Sequence, residues 1–293
     1  MSEAGRLFRN AIELDPNFAH AHVGLADVLM MTVQGTGAKV AVEKALELDP
    51  DLAEAHASLG FIRMFHDWKW AEAESAFVRS IELNPNYAMA HHWYAQLLAV
   101  KGRNGEAKSE MLRALEINPL SHNFLADLGQ IYYFNREYKE AEQWCLKALE
   151  IYPDFVFANG CLKDTYLKTG EYDKAVEAII NAEKINSAFA NQTTERQKER
   201  DAYSESRRKT YRAGGIGKFL EDSFGKSHDP DAPIGNARIY ALLGENEKAL
   251  DNLERAYEGK AFLSIFVKAD PIFDDLRSNP RYEEILRRMN LSE

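Results

Sequence analysis

Five prolines set the frame of this chain. Pro16, Pro50, Pro85, Pro119 and Pro153 follow one another at intervals of 34 or 35 residues, a period that belongs to stacked helical hairpins. Each closes the same phrase: AIELDP, ALELDP, SIELNP, ALEINP and ALEIYP. Proline lacks an amide N–H and disfavours helix in the residue before it, so each phrase reads as the end of a helix. Small residues keep the same beat. Ala38, Ala73, Ala107, Ala141 and Ala175 open the second helix of each unit, and Ala26, Gly60, Ala95 and Gly129 hold one place in the first. Helices approach to about 8–10 Å only where the facing side chains are short. The spacing predicts an all-α chain of antiparallel helix pairs, each stacked on the next.

The residues at fixed places within the period carry a resemblance. Leu59-Gly60, Ala73, Phe77 and Pro85, and again Leu128-Gly129, Tyr132, Ala141, Ala148 and Pro153, form a pattern that resembles the tetratricopeptide repeat. The resemblance implies a right-handed α-solenoid with a divergent helical C-terminal cap. The expected layout is a repeat array over 1–187, with a partial repeat at 1–18 and five full repeats at 19–187. A charged helix and loop follow over 188–233, then a repeat-like hairpin and helical cap over 234–293. Residues 1–18 match a second helix without its first, as expected of a piece of a longer polypeptide.

A narrower resemblance rests on HDWKWAEAESAFVRSIELNPNYAMAHHWYAQLLAVKGR, INPLSHNFLADLGQIYYFNREYKEAEQ and FVKADPIFDDLRSNPRYEEILRRMNL. These are similar to the C-terminal tetratricopeptide region of bacterial winged-helix transcriptional regulators and related signalling proteins. That resemblance implies a non-catalytic interaction scaffold, or a sensory and regulatory region, with self-association as the alternative. In tetratricopeptide stacks the first helix of each unit lines the concave face. Carried onto this sequence, it implies partner contacts at Phe61, His92, Trp93, Gln96, Asp127, Gln130, Tyr133 and Asp164. A face of aromatics, amides and acids suits a peptide or protein segment with apolar anchors and some positive charge. The Lys, Arg and Asn clamp with which some relatives grip a chaperone's C-terminal carboxylate is absent.

Composition narrows the function classes. A net charge of −10 argues against nucleic acid as partner, because that binding rests on phosphate neutralisation by Lys and Arg. The sequence has no apolar run long enough to span a bilayer. Cys145 and Cys161 both fall inside helical phrases, which gives no disulfide framework and points to a reducing, cytoplasmic compartment. The chain is expected to work without a cofactor.

Several constellations imitate chemistry. His22, His56 and His91 recur 34 and 35 residues apart, but that is the repeat period. Stacked helices hold their backbones about 10 Å apart, whereas zinc needs ligands at about 2 Å. Gly214, Gly215, Gly217 and Lys218 lack the first glycine and the hydroxyl of a phosphate loop and read as a helix breaker ahead of a short amphipathic piece, Phe219 to Phe224. The run Arg207-Arg208-Lys209-Thr210-Tyr211-Arg212 reads as a solvated helix face. FHDWKW carries a one-residue insertion, and its aromatics read as packing. GKSHDPDAP reads as a loop, and Asp270-Pro271 and Asn279-Pro280 each read as a helix start. No nucleophile, base and orienting group can be assembled from the spacing.

Overall fold

The structure, a computed structural model, describes residues 2–30, 35–186, 194–224 and 232–292. Every regular element among them is helical. Helix α1 (Glu3–Leu14) precedes five hairpins: α2 (Ala19–Met30) with α3 (Gly35–Leu48), α4 (Ala53–Ile62) with α5 (Trp70–Leu83), α6 (Ala88–Val100) with α7 (Asn104–Ile117), α8 (His122–Phe134) with α9 (Tyr138–Ile151), and α10 (Val156–Thr169) with α11 (Tyr172–Asn186). Beyond them come α12 (Thr194–Phe224), α13 (Ala232–Leu242), α14 (Asn246–Glu258), two 3-10 turns at Phe262–Phe266 and Pro271–Leu276, and α15 (Pro280–Arg288). The chain divides into two compact units, 1–98 with 105–119 and 99–104 with 120–293.

The turn between repeats explains both the proline and the histidine periods. Asp15, Asp49 and Asn84, each directly before a proline, accept the amide two residues on at 3.0–3.1 Å, the local bond that makes Asp and Asn turn residues. His22, His56 and His91 then reach back with Nε2 to the carbonyls of Pro16, Pro50 and Pro85, at 3.0, 2.8 and 3.1 Å. Each histidine thus clasps the turn that precedes its own helix. Its spacing is structural, and among the described residues no group of His, Cys, Asp and Glu could hold a metal ion.

The small residues sit where helices touch. A Cβ at Gly60 would fall 2.5 Å from the Phe77 ring, and one at Gly129 would fall 2.3 Å from Cys145 Sγ. The opening alanines of the second helices, Ala38, Ala73, Ala107, Ala141 and Ala175, are fully buried. The insertion in FHDWKW is absorbed as a π-helical turn over Arg63–Asp67, which ends at Trp68 with φ 57°. A π-turn is how a helix accommodates one extra residue without losing the register on either side.

The second unit departs from expectation in three places. Cys145 on α9 and Cys161 on α10 are joined in a disulfide, with Cα atoms 6.3 Å apart, within bridging range. Sequence reading expects no such pairing; the cysteines meet because α9 packs against α10 across the repeat boundary. The glycine break lies at Gly215 alone, where φ is 69°, and helix runs on both sides of it. The basic run is no free solvated face. Arg207 pairs with Glu183 at 3.1 Å and Arg208 with Glu177 at 2.7 Å, which seats α12 on α11. The 225–231 part of the expected loop lies outside the described residues.

In the C-terminal part Ile265, Val267, Ile272, Phe273, Leu276, Tyr282 and Ile285 are all buried. Tyr282 donates to the Val267 carbonyl at 2.7 Å. Its two helix starts follow the expected pattern: Asp270 and Asn279 cap the elements in which Pro271 and Pro280 occupy the first turn, where a missing N–H costs nothing.

Candidate partner-binding face

Within the first unit, α4 and α6 bring Phe61, His92, Trp93 and Gln96 together. The Phe61 ring lies 5.1 Å from Trp93 and 4.4 Å from Phe65. Phe61 and Trp93 are only 4% and 7% exposed, so most of each ring is spent inside the fold. His92 is buried too, with Nδ1 3.4 Å from Met89 Sδ and Nε2 3.3 Å from the Gln96 amide. On the preceding first helices, Ser58 donates to Asp27 at 2.6 Å. Burial pushes the Asp27 carboxyl up to about 6, against the Ser58 bond that lowers it, and Glu54 adds to the rise.

Within the second unit, Asp127 and Gln130 on α8 are half-buried. Tyr133, one turn further on, is wholly buried, and its hydroxyl donates to Asp270 at 3.0 Å. Asp164 on α10 is 8% exposed and lies 3.0 Å from Lys163 Nζ and 2.7 Å from an Arg238 nitrogen. Arg238 also donates to Asp270, so one guanidinium bridges two carboxylates. Lys163 supplies the second positive charge that balances them. Next to this cluster Arg136 donates to Asp274 at 3.1 Å, and Phe134 stacks on Phe266 with ring centroids 5.4 Å apart.

The electrostatics follow from burial and pairing. Burial pushes the Asp164 carboxyl up, but Arg238 and Lys163 outweigh it and hold the group below its ordinary value. Asp270 goes the other way: burial raises it, and Arg238 only partly offsets that, with Asp164 adding like-charge repulsion. Tyr133 is raised well above the usual phenol by burial, then by Asp270. Burial works against the charge on Arg238, yet the two carboxylates raise it further above its ordinary value. A buried charge is tolerated when it is paired in this way.

Sequence reasoning did not find Arg136, Arg238, Phe266, Asp270 or Asp274. Arg238 had a legible signal, as the one charged residue in the apolar phrase IGNARIYALL. Asp270 was visible only as a helix cap.

Helical hairpins that follow one another at a fixed period define a helical repeat protein. The particular repeat is the tetratricopeptide repeat, whose family matches this chain over residues 1–60, 69–122 and 122–155. Proteins built of this repeat are in general protein-interaction scaffolds. No curated protein matches the sequence. Among solved structures the chain is similar to PilW, a widely conserved type IV pilus biogenesis factor, at 15% identity and a TM-score of 0.53, over 85% of this chain and 97% of that one. It is likewise similar to PilF of Pseudomonas aeruginosa, at 16% identity and a TM-score of 0.50, over 85% and 95%. Likeness at this identity concerns the fold alone. No helix among the described residues is long and apolar enough to cross a membrane.

Proposed function

We propose that this chain is a non-catalytic interaction scaffold that serves as the sensory or regulatory region of a larger signalling polypeptide. Its partner is a peptide or protein segment with apolar anchors and some positive charge. The observation that carries this reading is the Asp164–Arg238–Asp270 cluster beside the Phe134–Phe266 stack. Helix α10 already pairs Asp164 with the guanidinium of Arg238 from α13, and α8 stacks Phe134 on Phe266; this is the chemistry offered to an outside ligand. The signalling context rests on the narrower sequence resemblance. The partner contacts are assigned to Phe61, His92, Trp93 and Gln96 in the first unit, and to Asp127, Gln130, Tyr133 and Asp164 in the second.

The test is binding of labelled peptides carrying arginine between aromatic residues, read by fluorescence anisotropy against the whole chain. Hot-spot aromatics contribute about 2 kcal/mol or more to such binding. Trp93→Ala therefore weakens it at least tenfold while helical circular dichroism is retained. Unchanged binding by a folded Trp93→Ala chain, or no saturable binding by any such peptide, overturns the reading. A second reading, self-association, is favoured by Leu7 and Leu14 on α1, which are 52% and 88% exposed. Sedimentation velocity at rising concentration decides it, since a dimer through α1 is lost in Leu14→Glu.

A further inference from the structure

Hydrogen bonds and ion pairs, beside the apolar Phe134–Phe266 stack, tie the C-terminal part to α8 and α10. Tyr133 with Asp270 and Arg136 with Asp274 join residues 137 and 138 positions apart, and both are polar. Arg238 reaches Asp164 across the same boundary. The interiors on either side are apolar. The repeats and α12 share a cluster that includes Leu162, Leu167, Val176, Ile180, Phe219 and Leu220, and in the C-terminal part Phe273 and Tyr282 are buried with ring centroids 6.3 Å apart. Buried ion networks add less stability than apolar packing of the same volume, and their best-attested use is to fix one arrangement against others. A seam held largely by ion pairs and hydrogen bonds, with the Phe134–Phe266 stack beside them, is therefore where this unit is expected to open first.

We propose that the α8–α10 face of the second unit is self-occupied: residues 262–276 and Arg238 sit on it as a releasable intramolecular ligand, closing it to outside segments. The residues assigned to that face in the proposed function, Tyr133 and Asp164, are the ones engaged. An outside ligand for it must bring the same pair of features, a guanidinium to lie beside Asp164 and an aromatic ring to lie on Phe134. The closed state rests on the scaffold reading only for its purpose; the seam itself is measurable with no partner present, so the two fail separately.

Hydrogen exchange on the whole chain in low guanidinium chloride tests this. The result expected is that amides of 262–276 exchange through a sub-global opening, at least tenfold faster than those of α8 to α11, which stay protected. In Arg136→Glu, which puts like charge opposite Asp274, the opening becomes at least a further tenfold more frequent while α8 to α11 are unchanged. If 262–276 and α8 to α11 lose protection in one step in the native chain, the segment is plain core and the proposal is overturned. The native-chain measurement decides even if the variant does not fold.

Discussion

The residues proposed as partner contacts in the two units are buried by different means. In the first unit Phe61 and Trp93 are covered through ring-on-ring contact. In the second, Tyr133 and Asp164 are covered by partners from more than 70 residues further along the chain, through hydroxyl, carboxylate and guanidinium. Apolar packing tolerates graded loss, since each removed methylene costs only its own share. A charge network does not degrade in steps, because removing one member leaves the others buried and unpaired. The same fold thus carries a forgiving face and an all-or-none one.

Arg238→Met probes that difference most strongly. It strands Asp164 and Asp270 in the interior and is expected to cost about 3–5 kcal/mol in chemical denaturation. Adding Asp164→Asn and Asp270→Asn restores most of the loss, because neutral amides can be buried at far lower cost. Should Arg238→Met alone prove neutral, the cluster is solvated and the contrast between the units collapses.

Two glycines of the second unit sharpen the packing side. Gly129 has Cys145 Sγ, the Ala141 carbonyl and the Cys145 amide against it, whereas nothing lies within 4 Å of a Cβ at Gly160. Gly129→Leu is expected to destabilise by about 1–3 kcal/mol through overpacking. Gly160→Ala is expected to stabilise by about 0.5–1 kcal/mol, by removing backbone freedom from the unfolded chain. Thermal melts of the two variants should move in opposite directions.

What the sequence made legible follows the same division. Everything with a period could be read: the prolines, the small residues at Gly60 and Gly129, and the first helices that carry Phe61, Trp93, Tyr133 and Asp164. The Tyr133–Asp270 and Asp164–Arg238 contacts could not, because they join a periodic element to an aperiodic one and no spacing encodes that. The cysteines escaped for a related reason. Their separation of 16 residues is about half a repeat, so it joins the second helix of one unit to the first helix of the next. The histidine period was legible, but the carbonyl that each one clasps was not foreseen.

The first unit has an acid–base signature of its own. Asp27 titrates near 6 in the folded chain, above the unfolded value of about 3.9. The folded state holds its proton more tightly, so this group's contribution is full below about pH 4 and is lost as pH rises through about 6. Asp27→Asn removes that dependence and keeps an acceptor for Ser58. Relative to Asp27→Asn, the native chain should lose about 1–2 kcal/mol of stability between pH 4 and 7, after allowance for partial solvent access. A constant difference across that range would mean that Asp27 is as well hydrated as any surface acid.

The smallest effect separates two residues that the period makes equivalent. His22 and His91 each hold the carbonyl of the proline six residues before them. Only His91 also meets a carboxylate, with Nδ1 2.6 Å from Glu110 Oε2, and His91 is 5% exposed whereas His22 is half-buried. A single exposed hydrogen bond contributes about 0.5–1 kcal/mol, and one to a charged group somewhat more. His22→Gln should therefore change stability by no more than about 0.5 kcal/mol, while His91→Gln should cost about 1–2 kcal/mol. The excess must come from Glu110, so a double-mutant cycle of His91→Gln with Glu110→Gln should return a coupling of about 1 kcal/mol. A coupling indistinguishable from zero would mean that the turn clasp alone sets the worth of both histidines, and that burial in the third repeat adds nothing to it.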